Sequence, residues 1–154
     1  MQVRLATIED ASPISVLINR LSDPFFLTRG GEGAEMFIHS ISETAIKGYV
    51  TAPNFCYQVA ESEGQLVGVV ALRDNSHLYH LFITPVFQGR GMGRELWQSA
   101  KEQALRAGNP GRFTVNSSLG AVPAYELFWY VAGGSTVAKH GIAFQPMMLV
   151  EDDG

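Results

Sequence analysis

The sequence predicts an α/β (α+β) domain built on a mixed, mostly antiparallel sheet with about four helices. Three observations carry that reading. Strand-like runs and helical periodicities follow one another along all 154 residues with no linker, repeat or low-complexity tract between them. Two apolar runs, FCYQVAES and QLVGVVALRD, are separated by Glu63-Gly64, the turn chemistry of a hairpin, so these strands run antiparallel. A further run, HLYHLFIT, leads into a glycine cluster, QGRGMG at residues 88–93, which opens directly into a helical pattern.

In chain order, VRLA is a short first strand. Thr7, Glu9 and Asp10 mark the start of a helix, and Pro13 is tolerable only in its first turn. Ile14, Leu17, Ile18 and Leu21 form the apolar face of that helix. SDPFFLTRGGEG breaks the periodicity and reads as a loop. AEMFIHSISETAIKGYV reads as one second helix, with Met36, Phe37, Ile41, Ala45 and Ile46 on one side. Beyond the strands and the glycines, Leu96, Trp97, Ala100 and Ala104 recur at helical spacing until GNPG, from Gly108, supplies a stop. RFTVNSS returns as a strand, AVPAYELFWYV as a shorter helix, and STVAKH and IAFQPMMLV as closing strands.

With 46% hydrophobic and 17% charged residues, the chain suits one domain over residues 1–154 with room for a real core. A single cysteine, Cys56, excludes an intrachain disulfide and a Cys-only metal site. The scattered histidines supply no ligand spacing, so no metal is expected. MQVRLATIED has acidic residues where a signal peptide needs an apolar stretch, and no apolar run approaches the ~18 residues of a membrane span. The expected location is the cytoplasm, with no membrane partner. A net charge of -4 argues against nucleic acid, whose phosphates need clustered Lys and Arg. The charge is uneven, however. Residues 1–63 are acidic, whereas 90–112 hold Arg90, Arg94, Lys101, Arg106 and Arg112 against Glu95 and Glu102. A small anionic ligand near the glycines and a cationic one elsewhere suit this asymmetry.

A strand that ends in a glycine turn before a helix makes an anion site. The first helical amides lack intrahelical acceptors, the helix dipole is positive there, and missing Cβ atoms let phosphate oxygens reach the backbone. A dinucleotide fingerprint read from Gly89 and Gly91 would need glycine at 94, where Arg94 stands, and the Gly-Lys-Ser/Thr ending of a nucleoside-triphosphate loop is absent. A tight turn without a ligand would account for the same glycines.

Gln88-Gly89-Arg90-Gly91-Met92-Gly93 resembles the Gln/Arg-x-x-Gly-x-Gly/Ala motif of the GNAT superfamily of acyl-CoA-dependent N-acetyltransferases. AVPAYELFWYV is similar to that family's Ala-Val-Pro-Phe-Tyr-Glu-x-x-Gly-Phe segment, and the order of elements agrees along most of the chain. The resemblance implies a sheet splayed between strands four and five and acetyl-CoA as the acyl donor. It implies pyrophosphate on the turn from Gln88 and Gly89 through Arg90, Gly91, Met92 and Gly93 to Arg94. Pantetheine would run beside Leu81, Phe82 and Ile83, with the thioester carbonyl at the backbone N–H of Leu81 or Phe82 near a bulge. Asn116 is a further candidate for holding coenzyme A.

Tyr125 matches the family's tyrosine that protonates the departing thiolate. A phenol of pKa ~10 is protonated at neutral pH and not far above a thiol of ~8.5. Some members carry a basic glutamate on strand four, and counting back from Ile83 gives His77 here, with His80 and a water chain as competing bases. Two departures stand out: Trp129-Tyr130 replaces Gly-Phe, and Asn116 lies nine residues ahead of Tyr125. The implied activity is acetyl transfer in a ternary complex to the primary amine of a small cationic molecule, with Glu32 and Glu35 supplying charge. A non-catalytic acyl-CoA-binding or sensing module, and an acetyltransferase acting on a protein N-terminus or lysine, stay open, as does a homodimer.

Overall fold

The computed structural model describes residues 1–151. Strand β1 (Gln2–Leu5) pairs antiparallel with β2 (Phe55–Ser62), β2 with β3 (Gln65–Arg73), and β3 with β4 (His77–Ile83). Glu63 and Gly64 both take positive φ, 52° and 77°, as the tight turn between β2 and β3 requires. β4 lies parallel to β5 (Arg112–Ser117), which pairs antiparallel with β8 (Ile142–Val150). Two short strands, β6 (Val131–Ala132) and β7 (Val137–Lys139), follow one another along the outer edge of β8. The sheet is therefore mixed and mostly antiparallel, in the order β1-β2-β3-β4-β5-β8-β6.

Among the described residues five α-helices flank it: α1 (Ala11–Arg20), α2 (Glu35–Ser40), α3 (Glu43–Thr51), α4 (Met92–Arg106) and α5 (Val122–Leu127). The expected second helix is two. Ser42 is extended (φ -68°, ψ 158°) and its hydroxyl accepts the Ala45 amide at 3.2 Å, so it caps a new helix. The break shifts the phase of the apolar face. Ile41 and Ile46 are fully buried while Met36, assigned to the same face, is 67% exposed. Entry into α1 is fixed by Asp10, whose carboxylate accepts the Thr7 amide at 2.7 Å and both terminal nitrogens of Arg4 at 2.8 Å. The Arg4 guanidinium holds that carboxyl below its ordinary range against the opposing effect of burial.

Period-two alternation divides the core. On β3, Val69 belongs to the core on the side of α1 and α3 with Ile14, Ile18 and Ile46, whereas Val70 belongs to the core on the side of α4 with Leu96 and Trp97. Each such fully buried aliphatic chain contributes about 1.5–3 kcal/mol. Among the described residues no helix is long and apolar enough to cross a membrane, and no group of His, Cys, Asp and Glu is arranged to hold a metal ion.

Two features of this frame shape the site. β4 and β5 share only the pairs His77–Thr114 and Leu78–Val115, so they part after Leu78. Just beyond, Ala71 pairs with His80 and Leu72 with Leu78, which leaves Tyr79 as a bulge in β4. The long loop between α1 and α2 is fastened to the β7–β8 turn. Leu27 N donates to Gly141 O at 2.9 Å, and Phe26 bridges Ile142. Gly141 has φ +79°, and a Cβ there would overlap the Gly33 carbonyl, so only glycine allows the two backbones to meet.

Candidate functional site

The parting of β4 and β5 opens a cavity of about 390 Å³. One end is walled by Leu81, Phe82 and Ile83 of β4, Asn116 of β5 and Tyr125 of α5. From Tyr79 onward the edge of β4 that faces β5 has no strand partner among the described residues. That leaves backbone donors and acceptors directed into the cleft, able to pair with an extended amide-bearing ligand as an added strand would. Gln88 also lines the cavity, and its Nε2 donates to Ile83 O at 3.0 Å, closing off the last carbonyl of β4.

Gly89, Arg90, Gly91 and Arg94 continue from Gln88 onto the exposed surface and are not part of the cavity wall. Gly91 (φ +78°) is the N-cap of the fifteen-residue α4, and Gly89 has φ +79°. Open space lies where a Cβ on either would project. No side chain at these two positions screens the turn before the first amides of α4, where the helix dipole adds positive potential. Arg90 stacks over Phe87, 5.5 Å from the ring centroid. The Met92 side chain is buried in the α4 core, so only its backbone is available to a ligand, and Gly93 is half-buried close to Ile83.

Tyr125 is buried against Phe128 and Tyr130, with centroids 6.2 and 5.7 Å away. Burial pushes its phenol above the ordinary value, which keeps it a proton donor at neutral pH. The two histidines of β4 differ. His77 is half-buried at the end of the cavity where β4 and β5 still pair, and its Nδ1 is hydrogen bonded to the Thr114 hydroxyl at 2.7 Å. Burial, with help from Arg73, lowers its pKa. Three residues of strand lie between it and Leu81, a span of about 13 Å, so a proton travelling between the two positions needs a water path. His80 adjoins Leu81 and lines the cavity, but burial brings it down to about 3, and its Nδ1 is hydrogen bonded to the Tyr57 hydroxyl at 2.7 Å. It is neutral across the physiological range and a poor base.

The rest of the cavity wall comes from residues not among those expected at the site. Phe25 of the 3-10 turn Asp23–Phe25, Phe37 of α2, Tyr79 of the bulge and Phe144 of β8 form its walls, and Arg73 at the end of β3 also reaches it. Pro24-Phe25-Phe26 in a loop was the available signal, because two adjacent rings outside any periodic segment need a partner surface. Glu32 and Glu35, expected to face an acceptor, do not line the cavity. Both are exposed, and a Glu35 carboxylate oxygen accepts the Gly33 amide at 3.3 Å.

The model of the acetyltransferase (GNAT) domain matches residues 27–151. Solved structures similar to the chain share its fold at low identity. A GCN5-related N-acetyltransferase from Rhodopseudomonas palustris is 22% identical with a TM-score of 0.78, over 96% of this chain and 93% of that one. The PaiA N-acetyltransferase of Thermoplasma acidophilum, in complex with coenzyme A, is 13% identical with a TM-score of 0.77, over 96% and 98%. YncA of Salmonella typhimurium, solved with its cofactor acetyl-CoA, is 17% identical with a TM-score of 0.74, over 100% and 95%. No curated protein matches by sequence.

Proposed function

The chain belongs to the GNAT acetyltransferase family, and from that premise we propose that it acetylates the primary amine of a small molecule held in the cavity between β4 and β5. The observation that carries the reading is the splay itself, an unpaired strand edge that leads from the glycine turn into a cavity lined by a buried phenol. The residues fit acetyl-CoA. Gly89 and Gly91 leave their Cβ positions open beside the α4 amides and Arg90 and Arg94, where a pyrophosphate needs close approach and positive potential. The edge of β4 at Leu81–Ile83, with Asn116 opposite, suits the pantetheine amides.

When bound, acetyl-CoA supplies the acetyl group as a thioester. The backbone N–H of Leu81 or Phe82 donates to the carbonyl oxygen as negative charge builds on it. Tyr125 gives its proton to the departing sulfur; burial makes the phenol a weaker acid, and the same burial makes the thiolate a stronger base, so the transfer stays matched. The proton lost by the amine leaves through water toward His77, which is neutral because burial lowers its pKa. The cationic acceptor expected from Glu32 and Glu35 has no support in the cavity wall, since neither residue belongs to it.

Release of free CoA thiol from acetyl-CoA, in proportion to added primary amine and with formation of the acetylated amine, is the expected result with the purified protein. A protein that binds acetyl-CoA yet releases thiol at the same slow rate across a broad panel of amines would instead be an acyl-CoA-binding module.

A further inference from the structure

The wall of the cavity beyond the unpaired edge of β4, Asn116 and Tyr125 has a definite chemical character. Phe25 and Phe37 stack with centroids 5.4 Å apart, Phe25 approaches Phe82 at 6.4 Å, and Tyr79 and Phe144 complete the wall. Among the described residues no carboxylate lines the cavity, and Arg73 is the one lining side chain with a fixed charge. Its guanidinium lies over Tyr79, 5.4 Å from the centroid. Its acidic neighbour Asp74 is 3.7 Å away and well exposed, a pairing too weak to occupy the guanidinium fork.

These features discriminate between acceptor classes. A polyamine or other polycation would lose hydration without gaining a carboxylate and would meet Arg73 as a like charge. Aromatic walls can attract cations through their faces, but Arg73 already covers Tyr79, and Phe25 and Phe37 face one another. An aromatic body instead buries apolar area against the rings, and a carboxylate beside the amine finds a bidentate partner in Arg73.

Resting on the proposed acetyl transfer at this cavity, we infer that the acceptor is a primary amine carrying both an aromatic ring and a carboxylate, with Arg73 as the specificity-determining residue. The ring occupies the space beside Phe25, Phe37 and Phe144, and the carboxylate meets Arg73.

The test compares L-phenylalanine, 2-phenylethylamine and spermidine as acceptors, following thiol release from saturating acetyl-CoA with the full chain. The expected order in kcat/KM is phenylalanine, then phenylethylamine about 10-fold lower, then spermidine lower again by a similar factor. In Arg73→Gln the ratio of phenylalanine to phenylethylamine should collapse by about 10-fold, and Arg73→Lys should retain part of it. The ratio is internal to one preparation, so partial misfolding of a variant does not distort it. Spermidine turned over as well as phenylalanine, or an unchanged ratio in Arg73→Gln, overturns the inference. Acetyl-CoA binding seen by calorimetry with no turnover of any of the three also overturns it while leaving acetyl transfer standing. Absence of acetyl-CoA binding removes both.

Discussion

Where β4 leaves β5, the cavity wall offers an unpaired backbone edge and one phenol, drawn from segments on either side of the glycine turn and from α5. The rest of the wall is aromatic rings and an arginine, brought together from the α1–α2 loop, α2, the end of β3, the β4 bulge and β8. The first end is specified by what the chain leaves unpaired, the second by which side chains tertiary packing gathers. A donor common to many enzymes can be held by backbone, whose chemistry does not vary with sequence, whereas an acceptor must be read by side chains.

If the two ends are separable, damage to the fastening of the α1–α2 loop should spare the donor end. Gly141→Val places a side chain against the Gly33 backbone at a residue with φ +79°. The expected cost is about 3 kcal/mol in stability, with a large loss of acceptor kcat/KM and little change in acetyl-CoA affinity by calorimetry. Equal loss of both would mean that the ends are one cooperative unit.

The donor end is broken more narrowly by Tyr125→Phe, which keeps the ring's packing and removes the proton. kcat should fall by about 10²-fold, with melting temperature and acetyl-CoA affinity little changed. Near-normal turnover would assign thiolate protonation to water. Tyr125→Ala should instead lose stability through the cavity it creates.

Gly91→Val tests the glycine turn. A β-branched residue at φ +78° is strained, and its side chain enters the space next to the α4 amides. Acetyl-CoA should bind about 10-fold more weakly, with helix content preserved. Unaltered affinity would remove the turn from the cofactor site.

The histidines of β4 should separate stability from rate. His80 is neutral in the fold and pulled down to about 3, while the unfolded chain protonates near 6.5, so the unfolded state binds more protons between these values. Stability therefore falls as pH drops from about 6.5 toward about 3, by up to ~1.4 kcal/mol per pH unit, visible in urea midpoints. His80→Gln should remove most of that slope. Asp10, held low by Arg4, adds its own loss only at the acid end, below its ordinary carboxylate range. An acid limb in kcat/KM that vanishes in His77→Gln would locate the proton path there.

Much of this was legible in the sequence where local rules decide. The Glu63-Gly64 hairpin, the α4 face of Leu96, Trp97, Ala100 and Ala104, and the glycine turn depend on residues close in the chain. The division of the second helix is masked because apolar periodicity runs through Ser42, although its hydroxyl favours a cap over an interior position. The acceptor wall was hidden for a different reason. Phe25, Arg73 and Phe144 lie on three separate elements, and only the parting of β4 and β5 and the Gly33–Gly141 contact bring them to one cavity.

The smallest expected effect concerns Trp129, where the sequence departs from the Gly-Phe of its family's segment. α5 ends in a Schellman arrangement: Trp129 N donates to Glu126 O at 3.0 Å and Tyr130 N to Tyr125 O at 3.1 Å. The arrangement puts the residue at 129 in the left-handed region, and Trp129 has φ +75° with 80% of its surface exposed. Glycine adopts that conformation without Cβ strain, so Trp129→Gly should raise stability by about 1 kcal/mol, which is about 2–4 °C in Tm for a chain of this size. The cap bonds are backbone, and the contact of Tyr130 with Tyr125 across the motif remains, so the position of Tyr125 and the value of kcat should hold. That result would show the donor end to be set by backbone geometry even where its sequence departs from the family pattern. A fall in Tm would mean that the indole contributes more than its exposure indicates, and a fall in kcat at constant Tm would mean that Trp129 itself helps to seat Tyr125.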